Sequence, residues 1–142
     1  MFGPVITAFS QFAMATNGQN IYNILLILTD GAIHDMSRVK SLIVEASRLP
    51  TSIVIIGVGD CEEFDMMEEL DSDGSLLRDD GGRVSARDIV QFVRFNDAVR
   101  KGVLAEEVLR EIPEQVCLHM ENIGFKPMSV SNAPAPMPAM PG

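Results

Sequence analysis

Two uninterrupted aliphatic runs, residues 24–28 (ILLIL) and 52–58 (SIVIIGV), constrain the fold of this chain more than any other feature. A strand with one face in water alternates apolar and polar residues. These runs do not alternate, so each predicts a parallel strand covered on both faces. Between them Met36, Val39, Leu42, Ile43, Ala46 and Leu49 fall on one helical stripe, with Asp35 at the N-cap position and Pro50 just past the end. Strand, helix and strand make a βαβ unit, whose crossover is expected to be right-handed.

The flanking segments extend this pattern. Val5, Phe9, Phe12 and Ala13 recur at helical spacing before a stop at Asn17-Gly18, which predicts a short amphipathic helix. Residues 62–70 predict another, with Phe64 and Met67 inward and acidic residues near its positive N-terminal end. Residues 71–82 (DSDGSLLRDDGG) read as a polar turn region, and 87–95 (RDIVQFVRF) as a third strand. A last helix carries Leu104, Val108, Leu109, Ile112, Val116 and Met120 on one side, bent near Pro113. Residues 128–142 contain proline at close intervals and no charge, and predict a disordered or polyproline-like tail after a domain of residues 1–127.

Three strands are few for runs this apolar. The expected fold is α/β, a partial doubly wound (Rossmann-like) parallel sheet from which N-terminal strands are missing. Two explanations fit: a partner protein or second copy covers the sheet, or the chain is the C-terminal half of a larger α/β domain. In either case strand 24–28 has an apolar edge open to self-association.

Charge narrows the function. With 20 acidic and 11 basic residues the net charge is −9, which opposes binding to nucleic acid or anionic lipid through a broad basic surface and suits a divalent cation. Cys61 and Cys117 lie far apart without a CxxC partner, as in a reduced intracellular protein. No signal-peptide pattern opens the chain, and no apolar run approaches the roughly 20 residues that span a bilayer, so a soluble protein is expected.

Ligands of open parallel sheets bind beyond the carboxyl ends of the strands, where Asp30 and the Gly57-Val58-Gly59-Asp60 turn lie. Asp30 is a candidate ligand for Mg²⁺ or Ca²⁺, although spacing alone favours Asp30 and Asp35 as caps of the following turn and helix. The glycines do not form a dinucleotide fingerprint, because Glu62 and Glu63 stand where they would repel a pyrophosphate. His34 and His119 are far apart, His119 reads as a packing residue, and Cys61 is opposed as a thiolate by its acidic neighbours. No GxSxG, HExxH or CxxC motif is present, so no catalysis is expected. Met36, Met66, Met67 and Met120 fall at core-like positions.

Four segments in order, YNILLILTDGAIHDM, SIVIIGVGDCEEFDMMEELDSDG, ARDIVQFVRF and VLAEEVLREIPEQV, resemble the C-terminal part of the von Willebrand factor A-like domain of copines. A weaker similarity is to the copine-like module of RING ubiquitin ligases, whose paired cysteines Cys61 and Cys117 cannot supply. The copine resemblance implies a doubly wound sheet and a cytoplasmic protein that recruits partners. In the full-length parent two C2 domains, absent here, would add calcium-dependent phospholipid binding at the plasma membrane. It also implies that Asp30 matches the acid of the TDG motif, one contributor to a metal-ion-dependent adhesion site. The remaining ligands of that site, a DxSxS-type first strand and a GPT threonine, have no counterpart here: Val5 follows Gly3-Pro4, and Thr7 is not a convincing equivalent. The expectation is an incomplete, weak metal site at Asp30, no cofactor held by this chain alone, and Mg or Ca in the full A domain.

Overall fold

The two aliphatic runs build the heart of a parallel sheet, as β1 (Asn23–Thr29) and β2 (Thr51–Gly57). They pair in register from Asn23 opposite Thr51 to Thr29 opposite Gly57. A third strand, β3 (Val90–Arg94), pairs parallel to β2 from Ile53 opposite Val90 to Gly57 opposite Arg94, so the order is β1-β2-β3. The structure, a computed structural model, describes residues 1–60, 62–72 and 75–126; Cys61 and the expected tail at 128–142 lie outside these.

Helices cover both faces of the sheet unequally. On one side α1 (Gly3–Ala15) and α2 (Met36–Ala46) close the main core. There Phe2, Ile6, Val39, Ile43 and Ala46 pack with Ile53, Ile55, Val90 and Phe92. Phe64, Met67 and Leu70 join them from a 3-10 turn (Glu62–Phe64) and the one-turn helix α3 (Asp65–Glu68), all three inward. Gly57 is required by this packing, because a Cβ there would lie 2.9 Å from the Phe64 ring and 3.0 Å from that of Phe92.

On the other face three helices follow β3: α4 (Phe95–Lys101), α5 (Leu104–Leu109) and α6 (Ile112–Asn122). They form a smaller cluster in which Val54, Ile56 and Ile112 are buried against Phe95, Val108 and Val116. The fold is thus mixed α/β with a three-stranded parallel sheet between helices, as expected of a partial doubly wound domain.

Several local expectations are corrected. β2 is buried throughout, but β1 is covered on one face only: Leu25 and Ile27 pack on the main core, while Ile24, Leu26 and Leu28 are 51%, 51% and 64% exposed. The reason is placement, since α6 packs over β2 and leaves Ile24, Leu26 and Leu28 more than half exposed. In α1 the buried side is Ile6 and Ala13 rather than Val5 and Phe12, which are exposed. Met66 is exposed, whereas Met67 is fully buried. The third strand stops at Arg94, and the remaining Phe95 opens α4, a helix the sequence reading did not anticipate. The expected single bent helix is two, α5 and α6, with Pro113 in the first turn of α6 where its missing N–H costs nothing.

Candidate functional site: the strand ends and the β1 edge

Parallel pairing brings Thr29 and Gly57 level, so Asp30 and Asp60 leave the sheet at the same end. Asp30 is exposed. Before it, the Thr29 hydroxyl donates to Gly31 O (3.2 Å) and accepts from Gly31 N (3.4 Å), a local turn that turns the chain off the strand. Asp60 Oδ1 accepts from Asn96 Nδ2 at 3.1 Å, tying the β2 turn to α4.

Asp35 does something other than cap α2, the helix it precedes. Its carboxylate accepts Phe2 N at 3.1 Å and Gly3 N at 2.8 Å, and so caps α1 from across the fold. Burial opposes ionisation there, but the two amides outweigh it and hold the carboxyl below its ordinary range. Gly3 is the close approach that permits this, because a Cβ would stand 2.7 Å from Asp35 Oδ2. The Thr7 hydroxyl donates to Gly3 O at 2.8 Å, a bond inside α1.

Among the described residues, the acidic or ligating side chains that come together in a group of three are Asp71, Asp88 and Glu111, with one oxygen of each within 4.8 Å of the others. Asp30 is not in that group. Spacing could not have shown it, since the three residues come from separate segments. Carboxylates so placed have the donor chemistry of a hard cation, yet Asp71 and Asp88 have backbone work. Asp71 Oδ2 accepts Phe92 N at 2.8 Å, and Asp88 Oδ1 accepts Val90 N at 3.2 Å. The outer edge of β3 is thereby covered by the chain itself.

The opposite edge differs. Asn23 N donates to Pro50 O and Thr29 O accepts from Val58 N, so the odd-numbered residues of β1 bond toward β2. Residues 24, 26 and 28 therefore turn N–H and C=O outward, away from the sheet. The same three residues carry the exposed apolar side chains.

A buried polar network lies at the other end of the sheet. Arg87, only 3% exposed, donates from Nη2 to Leu49 O and Thr51 O at 2.7 Å each. From Nη1 it donates to Tyr22 Oη at 3.0 Å and Gln115 O at 3.3 Å. Ser52 Oγ donates to Gln115 Oε1 at 2.5 Å and shares a 2.7 Å bond with Tyr22 Oη. His119 of α6 is buried with its ring edge-on to Tyr22, 6.1 Å between centroids. Burial and the Arg87 charge push the imidazole below its ordinary pKa. His34, by contrast, is exposed, so the two histidines stand apart in the fold.

The family model for copines matches residues 1–128. The chain belongs to the copine family. It is 44% identical over 144 residues to nicotinic receptor-associated protein 1 of Caenorhabditis briggsae, covering 92% of this chain and 23% of that one. Its identity to the Caenorhabditis elegans protein of the same name is 41% over 150 residues, covering 93% and 23%. The copine chain described here thus spans under a quarter of the length of these curated relatives.

Proposed function

We propose that this chain acts as a non-catalytic protein-contact module of the copine type, and that the β1 edge is its contact surface. The observation that carries the reading is the coincidence, at residues 24, 26 and 28, of outward backbone groups with exposed apolar side chains. An uncovered apolar strand of this kind is a template for adding another strand. Relatives named for association with a receptor are in keeping with a contact role. Asp30, exposed at the carboxyl end of the same strand, is proposed as one weak ligand for Mg²⁺ or Ca²⁺. Calcium-dependent attachment to phospholipid and residence between cytoplasm and plasma membrane are proposed for a full-length copine, through C2 domains that these residues do not include.

The test is site-specific photocrosslinking. A photoreactive residue at Leu26 is expected to form adducts, to this chain or to other proteins, while one at exposed Arg48, in the turn after α2, forms none. Absence of adducts at Leu26, or equal adducts at Arg48, overturns the reading.

A further inference from the structure

We propose that the cleft between α6 and the β2–β3 connection is a second contact site, which takes an arginine-bearing segment of a partner protein. The site is separate from β1, since every residue of its wall comes from that connection or from α6 and its N-cap.

Helical spacing builds one wall. Glu111, Glu114 and Leu118 recur at i, i+3 and i+7, so they share one face of α6. Leu76, Arg87 and Asp88 line the cleft from the other element, and the space enclosed is about 540 Å³. A cleft of that size takes a drug-sized molecule, which corresponds to two or three residues of a peptide rather than to a bare ion. Leu76 and Leu118, 47% and 39% exposed, give it apolar sides.

Charge selects the occupant. Asp88, Glu111 and Glu114 line the cleft, and the one cation among the lining residues is Arg87, whose Nη atoms point into the buried network at Leu49, Thr51, Tyr22 and Gln115. Asp88 and Glu111 each hold an oxygen within 4.8 Å of the other, with Asp71 as third of the group. Like charges held this close between apolar sides focus a negative potential, and the net charge of −9 adds to the attraction for a basic partner.

Two observations favour a basic side chain over a metal ion. Asp88 Oδ1 accepts Val90 N, and Glu111 Oε2 accepts Gln115 Nε2 at 3.3 Å. A carboxylate can take a further N–H beside such bonds, whereas an ion at coordinating distance competes with them. The second observation is Arg87 itself, 3% exposed, whose Nε has no acceptor among the described residues. A peptide carbonyl pressed against this wall supplies one, and an ion does not. The occupant therefore combines a carbonyl, an aliphatic stem to lie along Leu76 and Leu118, and a planar cationic fork to meet the carboxylates.

Amide nuclear magnetic resonance on the isotope-labelled chain tests this, with acetyl-Gly-Arg-Gly-amide as the probe. The backbone signals of Leu76 and Leu118 and the side-chain amide of Gln115 are expected to shift saturably, with a dissociation constant on the order of millimolar, as suits a short flexible peptide. Norleucine in place of the arginine keeps the stem and the carbonyls, and is expected to bind about tenfold more weakly for want of charge-assisted bonds. Added salt is expected to weaken the arginine peptide severalfold. Glu114 is exposed, so Glu114→Gln leaves the fold intact and is expected to weaken binding severalfold. Glu106→Gln, at an exposed site on α5 outside the cleft, removes the same charge and is expected to bind as the unaltered chain does. Absence of a saturable shift, equal binding of the norleucine peptide, or equal losses from Glu114→Gln and Glu106→Gln overturns the proposal. Calcium chloride that moves the same signals at lower concentration than the peptide makes the cleft a metal site, and shifts confined to residues 24, 26 and 28 put the peptide on β1; either result overturns it too.

Discussion

Asp35 and His119 are single residues whose roles the chain order conceals. Asp35 precedes α2, and its neighbours alone make it an N-cap for that helix. The fold brings Phe2 and Gly3 to it instead, and two backbone amides are better donors than the one a local cap would offer. The recurrence of apolar residues around His119 already pointed to packing, and it is 4% exposed. What spacing could not show is that a buried guanidinium, Arg87, stands in the same network. Both burial and that charge disfavour the imidazolium, so the folded chain takes up this proton at lower pH than the unfolded chain, whose histidine titrates near 6.5. The unfolded state therefore binds more protons in the window below 6.5, and stability rises with pH there. The contribution is complete above that value and is lost as pH falls toward the folded value. Urea midpoints measured from about pH 7 to about pH 5 are expected to fall more steeply for the unaltered chain than for His119→Phe. Parallel slopes for the two would show that His119 takes up its proton equally in both states.

Among the elements, α6 depends on Arg87 in a way that helical periodicity does not reveal. The strand reading of residues 87–95 took Arg87 as its first member. The strand instead begins at Val90, and Arg87 serves as a bridge. Its planar fork joins the α2–β2 turn at Leu49, the start of β2 at Thr51, the residue before β1 at Tyr22, and α6 at Gln115. Arg87→Ala removes donors from buried carbonyls and opens a cavity, and is expected to cost about 3 kcal/mol in urea unfolding. Arg87→Lys keeps the charge but not the fork, and is expected to fall between the two. A loss under about 0.5 kcal/mol for Arg87→Ala would mean that α6 is held by the Val54, Ile56 and Ile112 cluster alone. Helices α5 and α6 were legible as one stripe because their apolar residues share a period. The break between them, and α4 before them, was not, because residues 87–95 are β-formers by composition and Phe95, the one residue of that run that opens α4, carries no helical period of its own.

For the whole molecule the decisive property is the inequality of the two sheet edges. The aliphatic runs made the parallel sheet readable in advance, and β2 meets that expectation fully, with all seven residues buried. The same reasoning failed on one face of β1. A run without alternation reports the surroundings a strand is suited to, and the described residues supply those surroundings on one side only. The covered edge, in turn, had no sequence signal, because Asp71 reaches Phe92 across twenty-one positions. Amide hydrogen exchange reads both edges in one experiment. The amides of Ile24, Leu26 and Leu28 are expected to exchange faster than those of Leu25 and Ile27, which bond inward to β2. Phe92, also on an outer edge, is expected to be slow because Asp71 holds its N–H. Asp71→Ala should release Phe92 while leaving Ile53 and Ile55, in the sheet centre, as slow as before. Equal protection along β1 would mean that its edge is covered within the single chain, and a sheet covered on both edges would have no site for a further strand.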